Sequence, residues 1–154
     1  MSAGMRLREA KREDLPTIVR MLADDPLGAK RHRFEDPLPK DYYAAFDAIA
    51  ASPSNALYVA EADGAIVGTL QLTFILGLDY LGAERMLIEA VRVARHRRNA
   101  GLGKAMIAEA IAIARRRGCQ RVELSSSASR TDAHRFYEGL GFTASHVGMK
   151  LMLK

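Results

Sequence analysis

The residues with the most evident chemistry stand at Arg98-Asn99-Ala100-Gly101-Leu102-Gly103-Lys104, where a β-branched run gives way to a long helix pattern. The first turn of a helix presents backbone N–H groups without internal partners together with the positive end of the macrodipole, and so attracts anions. Gly101 and Gly103 keep side chains away from those groups, while Arg98 and Lys104 add positive charge. A diphosphate suits such a place; a plain turn into the helix also accounts for a Gly-x-Gly pair. Two nucleotide motifs fail on spacing. A Walker loop requires Ser or Thr after the lysine, where Ala105 stands, and a dinucleotide fingerprint requires a third glycine, where Met106 stands.

Upstream, Glu89 interrupts the otherwise apolar centre of the strand Ile88-Glu89-Ala90-Val91-Arg92-Val93. A carboxylate there can act as a base or pair with Arg85 or Arg92. Downstream lies Ala133-His134-Arg135-Phe136-Tyr137-Glu138-Gly139-Leu140-Gly141-Phe142. Cys119 has no base near it in sequence and reads as a small buried hydrophobe, and the four histidines show no metal-ligand spacing.

These segments must be held by an ordered frame. Met5–Ala10 alternates as a strand, and Asp14 is placed to cap a helix whose Leu15, Ile18, Val19 and Leu22 share one face. Residues 24–39, with three prolines and a basic run at Lys30 to Arg33, read as a loop before a helix over 40–51. The runs 57–62 and 66–74 flank Asp63-Gly64, a hairpin turn. A strand follows over 85–94, then a helix to Arg117, a strand over 122–126, a helix over 131–139 and a last strand region over 142–153. On a helical wheel Leu102, Met106, Ile107, Ala110, Ile111, Ile113 and Ala114 form the face that lies on a sheet, and Arg115 to Arg117 favour the negative end of the helix dipole. The order predicts an α/β fold with a mixed, mostly antiparallel sheet of six to seven strands and about four helices.

Arg98-x-x-Gly101-x-Gly103 resembles the Arg/Gln-x-x-Gly-x-Gly/Ala signature of the GNAT superfamily of N-acetyltransferases, and Ala133 to Phe142 resembles its Ala-x-x-Phe-Tyr-x-x-x-Gly-Phe segment. The likeness runs from Met5 to Leu153 in the family's element order and adds a splayed central strand to the expected sheet. It implies acetyl-coenzyme A as donor, its pyrophosphate on Arg98, Asn99, Ala100, Gly101, Leu102, Gly103 and Lys104. The pantetheine arm would lie along Val91, Arg92 and Val93. It implies Tyr137 as the acid that protonates the leaving thiolate and Glu89 as the base, directly or through water that Ser125 to Ser127 could orient. His134, three residues before Tyr137, is placed to tune the phenol or to face solvent.

Arg130 departs from the pattern, since many relatives have Asn there. The Ser-Arg-x-Asp-Ala-x-x-Phe-Tyr variant, with Ser145-His146 after it, is similar to aminoalkylphosphonate acetyltransferases and related small-amine enzymes. On that likeness Arg130 or His146 meets an acidic substrate group; each also reads as a solvated surface side chain. The acceptor is expected among residues 24–39, Tyr42-Tyr43 and residues 77–82.

The chain's 154 residues, 49% hydrophobic, suffice for one domain, and the net charge of +5 gathers around the glycines. The first residues lack the apolar core of a signal peptide, which suggests a cytoplasmic protein that needs no metal, membrane or nucleic acid. A protein α-amine or lysine as acceptor and a non-catalytic acyl-coenzyme A sensor stand as alternatives. A homodimer through strand exchange or the edge of the terminal strand is compatible with the pattern.

Overall fold

The computed structural model describes residues 4–154, which divide into one unit ending at Glu123 and a second from Leu124 to Lys154. The first contains β1 (Arg6–Glu9), α1 (Leu15–Leu22), α2 (Pro26–Arg31), α3 (Lys40–Ala51), β2 (Asn55–Ala62) and β3 (Ala65–Ile75). After these come α4 (Asp79–Gly82), β4 (Arg85–Val93), α5 (Leu102–Arg117) and β5 (Arg121–Leu124), whose last residue opens the second unit; α6 (Thr131–Gly139) belongs to the second. Five strands form one mixed sheet in the order β1-β2-β3-β4-β5, with β1 to β4 successively antiparallel.

The hairpin between β2 and β3 closes at Asp63 and Gly64, both at positive φ (53° and 75°), which is the backbone a two-residue reversal between twisted strands demands. Val59 opposes Thr69 and Ala60 opposes Gly68, so these two pairs face opposite sides of the sheet. On the Val59 side, Leu15, Ile18, Val19 and Leu38 build a core against which Tyr42, Tyr43 and Phe46 pack. On the Gly68 side lies α5, with Leu102, Met106, Ile107, Ala110 and Ala114 buried. Gly68 permits that approach, since a Cβ there would sit 2.5 Å from Met106 Sδ.

Among the described residues, five strands and six helices replace the six to seven strands and about four helices expected. Residues 24–39 hold α2 instead of continuous loop, because Asp25 accepts the Gly28 N–H and Pro26 opens the first turn without an orphan donor. The expected last strand over 142–153 carries no strand structure. Alternation favours an extended chain, but only a partner's hydrogen bonds make it a strand. Asp14 does not cap α1 with its side chain; its carboxylate turns back to the Lys11 N–H (2.8 Å) and to Arg8 (2.8 and 3.2 Å). That bidentate pair is nearly buried on the acid's side and holds the Asp14 carboxyl below the usual carboxylate range.

Candidate active site

β4 is where the ladder breaks. Thr69 opposes Arg92 and Gln71 opposes Glu89, so one residue of β3 lies opposite two of β4, Ala90 and Val91. Ala90 takes a left-handed φ of 53° within this bulge, a conformation that costs an L-residue about 1–2 kcal/mol. β5 has four residues beside the nine of β4 and starts level with its beginning, where Gln120 N–H donates to the Glu84 carbonyl at 2.8 Å. At about 3.3 Å per residue, β5 reaches no further along β4 than the bulge. The segment from Glu89 to Val93 is therefore both kinked and beyond the reach of the neighbouring strand on that edge.

Glu89 is exposed at the bulge. The ion pairs that the sequence left open for it fall to other acids: Arg85 Nε lies 3.2 Å from Glu123 and Arg92 Nε 3.4 Å from Asp25. The carbonyls of Val91 and Val93 meet guanidinium groups, from Arg92 Nη1 at 2.9 Å and Arg98 Nε at 3.2 Å.

Past β4 a 3₁₀ turn, Arg95–Arg97, leads into the glycine loop. Asn99 and Gly101 both have positive φ, 63° and 79°, and these two residues swing the chain into α5. Gly101 stands at the N-cap position, where no side chain caps the helix, and Ala105 N–H is bonded to the Gly101 carbonyl at 3.1 Å. The N–H groups of Leu102, Gly103 and Lys104 precede that first helical bond and have no carbonyl a turn behind them within the helix. Three forward-pointing N–H groups, the positive end of a sixteen-residue helix and the Lys104 ammonium make a donor set suited to a diphosphate. Gly101 serves here through its backbone angle; a Cβ on it would meet open space.

A cluster not foreseen from the sequence borders this loop. Asp24, at the end of α1, receives Arg95 (2.7 Å) and lies 3.6 Å from Arg98. Asp25 faces Arg92. Burial pushes the His32 imidazole down, and the Arg92 and Arg31 charges push the same way against Asp25. His32 is thus neutral near pH 7. The basic run around it has an internal use, since Arg33 pairs with Glu35 at 2.6 Å. Tyr42 accepts the Arg33 N–H, and Tyr43 lies under the Arg12 guanidinium. Residues 77–82 contain a left-handed reversal at Tyr80 and Leu81, with Leu81 fully exposed.

At the far end of α5, Arg117 pairs with Glu84 (2.6 Å) and stacks over Phe74. Burial raises the Cys119 thiol, which removes thiolate character from it.

In the second unit, Tyr137 meets Phe136 and Phe142 edge to face, at centroid distances of 5.1 and 5.9 Å. His134 Nε2 lies 2.8 Å from the Ser127 carbonyl, and the Ser127 and Ser129 hydroxyls share a hydrogen bond of 2.9 Å. His146 Nδ1 meets Ser145 Oγ at 2.7 Å. The structure thus brings Glu89, Val91 to Val93 and Arg98 to Lys104 onto one strand and its following turn, and holds Tyr137 on α6. Among the described residues no group of three His, Cys, Asp or Glu side chains could hold a metal, and no helix is long and apolar enough to cross a membrane.

Comparison with known proteins gives this geometry a family. The model of the acetyltransferase (GNAT) family matches residues 17–142. A glucosamine 6-phosphate N-acetyltransferase from Trypanosoma brucei brucei is 40% identical over 90 residues, a match spanning 58% of this chain and 59% of that protein's length. Among solved structures, a transcriptional regulator from Bacillus halodurans C-125 is 46% identical, with a TM-score of 0.93 over 97% of this chain and 99% of that one. An acetyltransferase from Trypanosoma brucei is 30% identical, with a TM-score of 0.78 over 97% and 99%.

Proposed function

Because the chain belongs to the acetyltransferase (GNAT) family, whose members take the acetyl group from acetyl-coenzyme A, we propose that it acetylates a primary amine on a small molecule by direct attack in a ternary complex. The observation that carries this reading is the bulge at Ala90, followed within a few residues by the uncapped start of α5. A kinked strand edge offers amide and carbonyl groups to an extended ligand, and the helix start offers N–H groups to its phosphates.

When bound, the donor supplies an acyl carbon activated as a thioester. The N–H groups at Leu102, Gly103 and Lys104, the Lys104 ammonium and Arg98 hold the diphosphate; Asn99, Ala100 and Gly101 shape the loop around it. Val91, Arg92 and Val93 align the pantetheine through their main chain. An alkyl ammonium with a pKa near ~10.4 loses its proton at pH 7 at a cost of roughly 4–5 kcal/mol, so the acceptor needs a base or a desolvating pocket. Glu89, exposed at the bulge, takes that proton directly or through a water. The amine lone pair forms the C–N bond, the C–S bond breaks, and the Tyr137 hydroxyl gives its proton to the departing sulfur. Such proton transfers are each worth about 10²–10⁴ in rate.

The acceptor class draws support from the curated relative, whose named substrate joins an amine to a phosphate. Aminoalkylphosphonates, the class suggested by the Ser129-Arg130 and Ser145-His146 pattern, share that pairing of amine and phosphorus oxyanion. Arg130 and His146 are the residues assigned to the anion.

Thiol release from acetyl-coenzyme A across a panel of amines tests the reading. Glucosamine 6-phosphate, glucosamine, an aminoalkylphosphonate, a polyamine and a peptide α-amine sample the classes. Turnover that falls on removing the phosphorus group supports the proposal. Peptide turnover alone would move the acceptor to a protein amine. The name of the Bacillus halodurans relative favours one other reading, a sensor that binds the donor without reacting. That reading predicts tight donor binding, no thiol release with any amine, and DNA affinity that falls steeply with salt.

A further inference from the structure

The bulge at Ala90 also decides which side chains of β4 share a face. Glu89 and Arg92 are three residues apart, a spacing that puts two side chains on opposite faces of a regular strand. With one extra residue between them they fall on the same face. Leu57, Gln71 and Glu89 form one row across the sheet, and Val59, Thr69 and Arg92 form the next row on that face. This is the face that α1 covers, whereas α5 packs on the other. Arg92 therefore stands with the proposed base, on the side of the sheet opposite the helix whose start receives the diphosphate.

The Arg92 side chain is 13% exposed, and its Nη1 folds back onto the Val91 carbonyl at 2.9 Å, so the guanidinium stays beside the bulge. Asp25 is its counter-ion, with an oxygen 3.4 Å from Nε. That carboxylate has a second commitment, to the Gly28 N–H in the first turn of α2 at 2.5 Å. His32, at the end of α2, is kept neutral in part by the charges of Arg92 and Arg31. A buried ion pair contributes little net stability, and an apolar side chain would serve the core at this position as well. What Arg92 adds is positive charge held at a fixed place next to a carboxylate. The rows of Glu89 and Arg92 lie about 6–7 Å apart along the strand, at ~3.3 Å per residue. A molecule that meets both thus carries its amine and its oxyanion a few bonds apart.

We propose that Arg92 takes the acidic group of the acceptor, exchanging Asp25 for a phosphorus or carboxyl oxyanion, while the acceptor's amine meets Glu89. The substrate class is then a short amino acid in the wide sense, with amine and acid separated by a few bonds. Asp25 holds the guanidinium in place before the acceptor arrives and keeps its Gly28 bond afterwards. This inference rests on the acetyl-transfer reading, and it gives the first unit a cation of its own for the acid, alongside Arg130 and His146.

Calorimetric titration of 2-aminoethylphosphonate, β-alanine and ethylamine, with coenzyme A present, tests it. The titration needs no turnover, so it decides the role of Arg92 separately from thiol release, which tests the acetyl-transfer reading. At least one of the two acids should bind at least about tenfold more tightly than ethylamine, and the tighter of them identifies the oxyanion. Arg92→Met should abolish that advantage, while circular dichroism verifies retained structure. Asp25→Asn keeps a side chain able to cap α2 and removes the competing charge, so it should tighten binding of the preferred acid at least about threefold. A pair that serves only the fold predicts the reverse, because losing either partner would loosen the corner. Three outcomes overturn the proposal: no preference for either acid over ethylamine in the unaltered chain, a preference that survives Arg92→Met, or acid binding that is unchanged or weaker in Asp25→Asn.

Discussion

Arg98 reaches back five residues to the last carbonyl of β4, its Nε 3.2 Å from the Val93 oxygen, and lies 3.6 Å from Asp24. One side chain thus ties the glycine loop to both the strand before it and the end of α1. We expect Arg98→Ala to raise the KM for acetyl-coenzyme A about tenfold and to leave kcat within about threefold, because an interaction made equally before and during reaction changes binding alone. Steady-state kinetics with the donor varied measures this; unchanged KM would remove Arg98 from the donor site.

Gly101 and Gly118 bracket α5 at nearly the same left-handed angle, φ 79° and 82°, each with open space where a Cβ would go. Alanine at either should cost about 1–2 kcal/mol in denaturant unfolding, for the same backbone reason. Only Gly101→Ala should also weaken donor binding, which calorimetric titration reads directly. Equal donor affinity in the two variants would count against the loop as the phosphate site.

Gly68→Ala should destabilise the fold by about 1–3 kcal/mol, because the new methyl meets Met106 Sδ and Cε and the Arg92 carbonyl. Met106→Ala shortens the flexible neighbour, so the double variant should recover part of the loss. A double-mutant cycle by urea unfolding measures the coupling, and strict additivity would mean that the two do not compete for space.

Tyr137→Phe should lower kcat at least about tenfold with donor affinity unchanged, and Glu89→Gln should lower kcat by about 10²-fold or more, both read by steady-state kinetics. Wild-type turnover in the phenylalanine variant is the outcome that refutes the acid role.

Acid sensitivity should come in two stages. His32 is held neutral in the folded chain, so the unfolded chain takes up its proton first and stability declines as pH falls below about 6.5 toward the lower folded value. Asp14, depressed by Arg8, contributes stability that is full above its unfolded value of about 3.9 and vanishes as pH falls through its folded value. Unfolding free energies across pH should lose the upper stage in His32→Gln and the lower in Asp14→Asn, the latter also costing about 2–4 kcal/mol at pH 7.

What the sequence conveyed follows the range of the forces involved. Asp63-Gly64 was legible because a positive φ is demanded and met within two residues, and the face of α5 because a single helix repeats its own pattern. The glycine loop was legible as a strand-to-helix turn for the same local reason. The bulge was not, since Ala90 has no composition that announces a left-handed angle. Nor were the pairs of Arg92 with Asp25 and Arg98 with Asp24, which depend on where the chain after α1 lies in space. α2 was hidden by Pro26 and Gly28 in a stretch of only six residues. The strand region expected over 142–153 carries no strand structure, because pairing is a property of two segments and the sequence there describes one.

The slipped register at Ala90 divides β4 into halves with different obligations. Before the bulge Met86 and Ile88 point into the interior, and a change at either is felt as lost cohesion. Past Ala90, on the proposed reading, the main chain does the recognising, so side chains there could vary while the grip persists. A lineage can therefore drift toward new amines without reopening the question of how its sheet holds together.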